Sequence, residues 1–249
     1  LDNPDIIVTV GSGTLMDFAR YPAHKLGVPF VAIPTLASSD GFTANICSIV
    51  IDGQKKSIPM SAPALVVADL NIISGAPKFL RVSGIADILS KYTSIADWKM
   101  AALVSGEYYC ERVAGMAQQA LDMMAECVEN ILAGGEPDHE AMTMAQMISG
   151  LTMQMLRNSR AASGAEHLIA HLVEMKPPRF ENAHGIHGEC VGVGTILCAE
   201  EYHRMAAKTP KAKPFAPIDE AWVREKFGPL AEGILKENEN DVLATFDPQ

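Results

Sequence analysis

The 249-residue chain is 48% apolar and 20% charged, the balance of a folded protein with a substantial core and not of a disordered segment. Its formal net charge of −10 excludes a sequence-independent nucleic-acid binder, which needs a basic footprint, but leaves room for a small anion in one locally positive pocket. The longest apolar runs, such as 191–199, are too short to insert across a bilayer.

In chain order, Ile6–Val10 is a β-branched run ending at Gly11 and predicts a strand buried on both faces. A helix follows from Thr14 to about Leu26, then a short strand at Phe30–Ile33 entered through Pro29 and stopped by Pro34. Strand, helix and strand in this order make a βαβ unit. Ser48–Ile51 and Lys56–Ile58 flank Asp52-Gly53 and predict a hairpin, and Ala64–Ala68 predicts a third apolar strand. From about Pro77 strand signals nearly vanish. Helices are expected over roughly 78–100, 102–132, 137–158, 163–174 and 186–207, with Gly134-Gly135, Pro137 and Pro177-Pro178 as breakers. Most of the thirteen methionines fall here and suit irregular helix packing. Residues 208–217 read as a Lys/Pro/Ala linker before a last amphipathic segment from about Ile218. The expected fold class is an incomplete α/β Rossmann-like part over 1–75, followed by an all-α, metal-binding domain over 76–249.

The cysteines Cys47, Cys110, Cys127, Cys190 and Cys198 are dispersed, with no C-x-x-C. They read as buried, reduced thiols of a cytoplasmic protein. The chain opens at Leu1, directly before a strand pattern, and reads as a fragment.

Three segments can carry chemistry. Gly11-Ser12-Gly13-Thr14-Leu15-Met16-Asp17 lies at a strand-to-helix junction, where glycines let the backbone approach a phosphate and free N–H groups favour an anion. A lone G-x-G is weak, and an ordinary tight turn accounts for it equally well. The loop Pro34-Thr35-Leu36-Ala37-Ser38-Ser39-Asp40-Gly41 leaves the next strand at its carboxyl end, the edge at which α/β sheets bind ligands. His167 and His171 share a helix face at i and i+4, and His184 and His187 follow, so four of seven histidines fall within residues 167–187. A single helical histidine is usually structural; this grouping suits zinc, nickel, iron or copper. A carboxylate from another helix should complete the site. Asp87, in a small-residue helix start, is a candidate, though a helix-start carboxylate is also favoured by the macrodipole. Residue types alone do not decide between these.

Together the segments 10–14, 34–41, 68–70, 84–94, 163–171 and 187–194 resemble the iron-containing alcohol dehydrogenase superfamily, and within it the glycerol-1-phosphate dehydrogenases. The similarity runs from about residue 5 to 205 and looks closest to the bacterial branch encoded with arabinose-utilisation genes. The Ser-x-Asp-Gly loop and the Glu-His-x-x-x-His segment favour the glycerol-1-phosphate branch over the wider superfamily, which includes the dehydroquinate synthases. The resemblance implies an N-terminal domain binding NAD(H) or NADP(H), a helical domain holding one divalent metal, zinc or nickel, and reversible hydride transfer between sn-glycerol 1-phosphate and dihydroxyacetone phosphate. It makes Asp87, His167 and His187 the metal ligands. It gives Asp40, His171 and also Asp87 catalytic contacts with the small phosphorylated substrate. Gly11, Gly13, Thr14, Leu15, Met16, Asp17, Thr35, Leu36, Ala37 and Ser38 would bind the cofactor. A homo-oligomer taking part in phospholipid metabolism is expected.

Three positions depart from the family pattern. Ser12 replaces a frequent glycine, Ala44 stands where relatives often carry a cofactor-contacting serine beside Thr43, and family members carry further βα units before residue 1 and more helix after 249. The competing readings are a dehydroquinate-synthase-like cyclase, disfavoured by Asp87 where a glutamate is usual and by sparse lysine and arginine near the motifs, and a non-catalytic metal-stabilised helical module. Metal content with NADH binding separates the module from the enzymes, and turnover separates the two enzymes.

Overall fold

The computed structural model describes residues 4–208 and 217–239; the expected linker over 208–217 lies, apart from its two ends, outside the described residues. Strand β1 (Ile7–Gly11), helix α1 (Gly13–Leu26) and strand β2 (Phe30–Pro34) form the βαβ unit, and β5 (Leu65–Val66) adds a third strand in the order β1-β2-β5. All pairings in this sheet are parallel, with Ile7 opposite Phe30 and Ala32 opposite Val66. Helix α1 packs Met16 and Ala23 onto Phe30, Ala32 and Phe42. It stops at Gly27, whose left-handed φ of 68° lets its N–H close the last turn without a Cβ clash. Strands β3 (Ile46–Ile51) and β4 (Gln54–Pro59) pair antiparallel around Asp52-Gly53. Positive φ at both turn residues, 52° and 77°, is what a two-residue hairpin requires.

One expectation for β1 fails. Its face toward α1 is covered, but Val8 and Val10 on the opposite face are 54% and 57% exposed. The period-2 pleat sends them away from the only side that α1 covers, so the strand is buried on one face and not on two.

After β5 every described element is helical: α2 (Leu70–Ser74), α3 (Lys78–Leu89), α4 (Lys91–Ser105), α5 (Glu111–Leu132), α6 (His139–Leu156), α7 (Ala165–Glu174), α8 (His187–Ala206), α9 (Glu220–Phe227) and α10 (Ala231–Glu237), with single 3-10 turns at 178–180 and 228–230. Ile88 of α3 packs with Met124 and Cys127 of α5 and Met142 and Ala145 of α6, while Trp98 of α4 meets Val113, Ala114 and Ala117 of α5. The expected helix over 78–100 is two helices, divided at Ser90. The expected start of the next helix at 102 is displaced to 111 by the left-handed cap at Gly106. All five cysteines are free, and four are buried; Cys110 is instead partly exposed at the start of α5. No helix among the described residues is long and apolar enough to cross a membrane.

Candidate active site

The carboxyl ends of β1 and β2 lie side by side, with Thr35 donating its N–H to the Gly11 carbonyl at 3.1 Å. This brings the Gly11–Gly13 turn and the 35–41 loop to one edge, facing the helical part across a cavity of about 1120 Å³. Gly13, Thr14 and Asp17 line it from α1, and Leu36, Ser38 and Asp40 from the loop. The other expected cofactor positions do not line it. Met16 is a core residue under the sheet, Gly11 and Ala37 are buried, Thr35 is half-buried, and the Leu15 side chain is exposed. Ala44 lines the cavity, whereas the Thr43 hydroxyl is committed to the Met147 carbonyl at 2.8 Å.

Helix α3 is wedged between the loop and α8, and glycines make the fit possible. A Cβ on Gly84 would stand 2.0 Å from the Ala37 carbonyl oxygen, and one on Gly188 1.9 Å from that of Ser83. Close approach holds Asp87 beneath the loop. Asp87 sits near the C-terminal end of α3, so the helix-start explanation for this carboxylate does not apply; at that end the macrodipole opposes it.

Asp87 is completely buried. Its Oδ2 accepts the Asp40 N–H at 3.0 Å. Its Oδ1 accepts no hydrogen bond among the described residues, and faces His167 Nε2 at 3.4 Å and the Lys91 ammonium at 3.7 Å. Asp87, His167 and His187 bring one potential ligand atom each within 4.8 Å of one another. A buried carboxylate oxygen without a hydrogen bond is costly, and the Lys91 ammonium approaches it only to 3.7 Å, so two imidazoles and this oxygen fit a divalent metal ion. Burial by itself would raise the Asp87 pKa, but the Lys91 ammonium and His167 outweigh it and hold the carboxylate well below its usual range. Burial likewise opposes a charge on His167, yet the neighbouring Asp87 and Glu166 carboxylates lift its pKa. A second grouping, His171, Glu174 and His187, shares one residue with the first, but the Lys55 ammonium is already paired with Glu174 there.

His171 lies one turn from His167, with ring centroids 6.2 Å apart, and 5.9 Å from the His187 ring. Burial, followed by the nearby Lys55 charge, pushes its pKa down to about 3, so its imidazole is neutral at ordinary pH. His184 is exposed in the loop before α8 and lies outside both groupings.

Several residues that the sequence did not single out hold this arrangement together. Lys91 is fully buried; its Nζ pairs with Asp40 Oδ2 at 2.8 Å and donates to the Asp87 carbonyl at 2.9 Å. Burial would lower its pKa, but the Asp40 and Asp87 carboxylates raise it. Ser149 also donates to Asp40 Oδ2, at 2.7 Å, so this carboxylate oxygen is tied inward while the residue still lines the cavity. Buried Arg20 of α1 donates to the Ile46 and Gly41 carbonyls and pins the loop from the other side. Glu166 and Asp97 take the Gly164 and Ala165 N–H groups at 2.7 and 2.6 Å, fixing the start of α7. Lys55, from β4, is the cavity's one lysine or arginine among the described residues.

Residues 1–77 match the profile of the iron-containing alcohol dehydrogenase family. The chain is 36% identical over 233 residues to the glycerol-1-phosphate dehydrogenase [NAD(P)+] of Geobacillus stearothermophilus, covering 90% of this chain and 56% of that protein. It is 37% identical over 193 residues to the enzyme of the same name from Methanothrix thermoacetophila, covering 78% and 53%. The chain thus spans about half the length of these curated relatives. Among solved structures, glycerol dehydrogenase from Schizosaccharomyces pombe superimposes with a TM-score of 0.64 at 24% identity, over 82% of this chain and 52% of that one. That similarity is one of fold.

Proposed function

We propose that the chain, whose residues 1–77 match the iron-containing alcohol dehydrogenase profile, belongs to that family and carries the metal centre and part of the cofactor cleft of an NAD(P)-linked glycerol-1-phosphate dehydrogenase. The observation that carries this reading is Asp87 Oδ1, fully buried, without a hydrogen bond among the described residues and facing two imidazoles. Asp87, His167 and His187 would hold the ion, and zinc or nickel suits two nitrogens and a carboxylate oxygen. When bound, it supplies Lewis acidity toward a ketone or alcohol oxygen, and the nicotinamide supplies or accepts the hydride.

The rest falls to this chain's own groups. Gly13 and Thr14, at the start of α1, present backbone N–H groups to the cofactor phosphates, and Leu36 and Ser38 form the facing wall. Lys55 is placed to meet the substrate phosphate. Neutral His171 hydrogen-bonds the substrate hydroxyl and moves its proton. Asp40 shapes the floor through Lys91 and Asp87. The same reading carries a homo-oligomeric, cytoplasmic enzyme acting on a small phosphorylated polyol or ketone.

The test is cofactor oxidation by the zinc- or nickel-loaded chain with NADH or NADPH, comparing dihydroxyacetone phosphate with unphosphorylated dihydroxyacetone. Turnover of the phosphorylated ketone, lost in His167→Ala and His187→Ala together with the metal, is the expected result. Stoichiometric metal in either variant removes that histidine from the ligand set.

A further inference from the structure

The two candidate ligand imidazoles are held in the same way, at the same atom. His167 Nδ1 lies 2.9 Å from Glu166 Oε1, and His187 Nδ1 lies 2.8 Å from Glu174 Oε1. Neither carboxylate has a proton to offer in these bonds. Glu166 already accepts the Gly164 N–H on Oε1 and the Thr93 hydroxyl on Oε2, both at 2.7 Å, and Glu174 is paired with the Lys55 ammonium. An acceptor-only carboxylate draws the hydrogen onto the facing ring nitrogen, and at His187 Nδ1 the 2.8 Å Glu174 contact outweighs the longer 3.5 Å approach of the Lys55 ammonium. In the neutral form of each ring, the form that binds a metal, the lone pair is therefore left on Nε2, and for His167 that atom faces Asp87 Oδ1 at 3.4 Å.

We propose that Glu166 and Glu174 are paired positioning residues, each fixing the Nδ1–H tautomer of its histidine so that both imidazoles offer Nε2 to a divalent metal. This rests on the reading of Asp87, His167 and His187 as a metal centre. Carboxylates behind ligand histidines orient the ring and raise its basicity. The two arms are unequally built. Glu166 is fully buried within one network, whereas Glu174 is partly exposed and shared with Lys55, so the Glu166 arm is the more rigid.

The proposal is tested on the full chain by zinc affinity, measured in competition with a chromogenic chelator, and by long-range ¹H–¹⁵N spectra of the zinc-loaded protein. Removing either acceptor, in Glu174→Ala or Glu166→Ala, is expected to weaken zinc binding by about 10- to 100-fold. Glu174→Gln and Glu166→Gln, which keep an oxygen acceptor, are expected to recover most of it. The spectra should show Nδ1 protonated and Nε2 bound to zinc in both histidines. Because Glu166 is buried and its alanine variant risks misfolding, the wild-type spectra and the Glu174 pair carry the test alone if that variant fails to fold. Unchanged affinity in Glu174→Ala, or Nδ1 bound to zinc in either ring, overturns the proposal with the metal centre intact. Failure of the wild-type chain to bind zinc or nickel overturns the metal centre itself.

Discussion

The two parts of the molecule bury charge to different degrees. In the α/β part, a small parallel sheet covers one face with α1 and leaves Val8, Val10 and Leu65 exposed on the other; Arg20 is its one fully buried charge among the described residues, and the rest of its chemistry rests on backbone at a turn and a loop. In the helical part, Asp87, Lys91, Gln146 and Glu166 are all fully buried among helices that otherwise read as apolar. Buried charge is expensive and persists only where partners over-determine it. The contrast places the specific, costly interactions around the candidate metal centre and the generic ones in the sheet. Substitutions in the two regions should therefore differ sharply in effect.

The largest effect is expected at the buried charge cluster. Lys91→Met leaves the Asp40 and Asp87 carboxylates without their ammonium, and removing one member of a buried ion pair costs about 3–5 kcal/mol. Urea denaturation of the metal-free chain measures this. A saturating divalent ion supplies the missing positive charge beside Asp87, so zinc or nickel should stabilise Lys91→Met more than it stabilises the wild type. Asp87→Ala is expected to lose comparable stability with no recovery on adding metal. Equal stabilisation of both variants by metal would show that the ion binds elsewhere.

A smaller effect is expected where the parts meet. Gly84→Ala drives a methyl group into the Ala37 carbonyl and the Gln146 amide, which would lie 2.0 and 2.2 Å away. Backbone yields poorly, and overpacking of this kind costs about 1–3 kcal/mol. The variant should also shift Asp87 relative to the 35–41 loop and weaken zinc affinity. Wild-type urea midpoint and zinc affinity in Gly84→Ala would disprove the wedged arrangement of α3.

The sequence disclosed local features and concealed cooperative ones. Asp52-Gly53 marked the hairpin because the two-residue turn needs positive φ, and the 3.6-residue period placed His167 and His171 on one face. The break at Ser90 carried no such mark, since the residue keeps near-helical angles of −59° and −18°, with its hydroxyl taking the Asp87 carbonyl at 2.6 Å. Gly106 was a readable signal for the end of α4 that the apolar pattern obscured. Lys91 and Glu166 were hidden because a charge in a helical segment usually marks the solvated face. Only the fold, by setting Asp40 and Thr93 against them, turns these charges inward. For the same reason the apolar run of β1 did not reveal that half of it faces away from α1.

That exposed half gives the smallest expected effect and the sharpest check on the comparison. Val8→Thr keeps β-branching, and with it the preference for extended backbone, while replacing a methyl group by a hydroxyl. In a packed core that hydroxyl would be buried without a partner and would cost about 1–3 kcal/mol. On a face that is 54% exposed at Val8 it meets water, and the change should stay within about 0.5 kcal/mol. The substitution at Ala32, which lies under α1 on the covered face and is fully buried, provides the contrast. Ala32→Thr adds bulk and a hydroxyl to the packed side and should destabilise by more than Val8→Thr, read as a lower urea midpoint at unchanged slope. A loss at Val8 as large as that at Ala32 would mean that both faces of the sheet are packed in solution, and would remove the asymmetry on which the comparison stands.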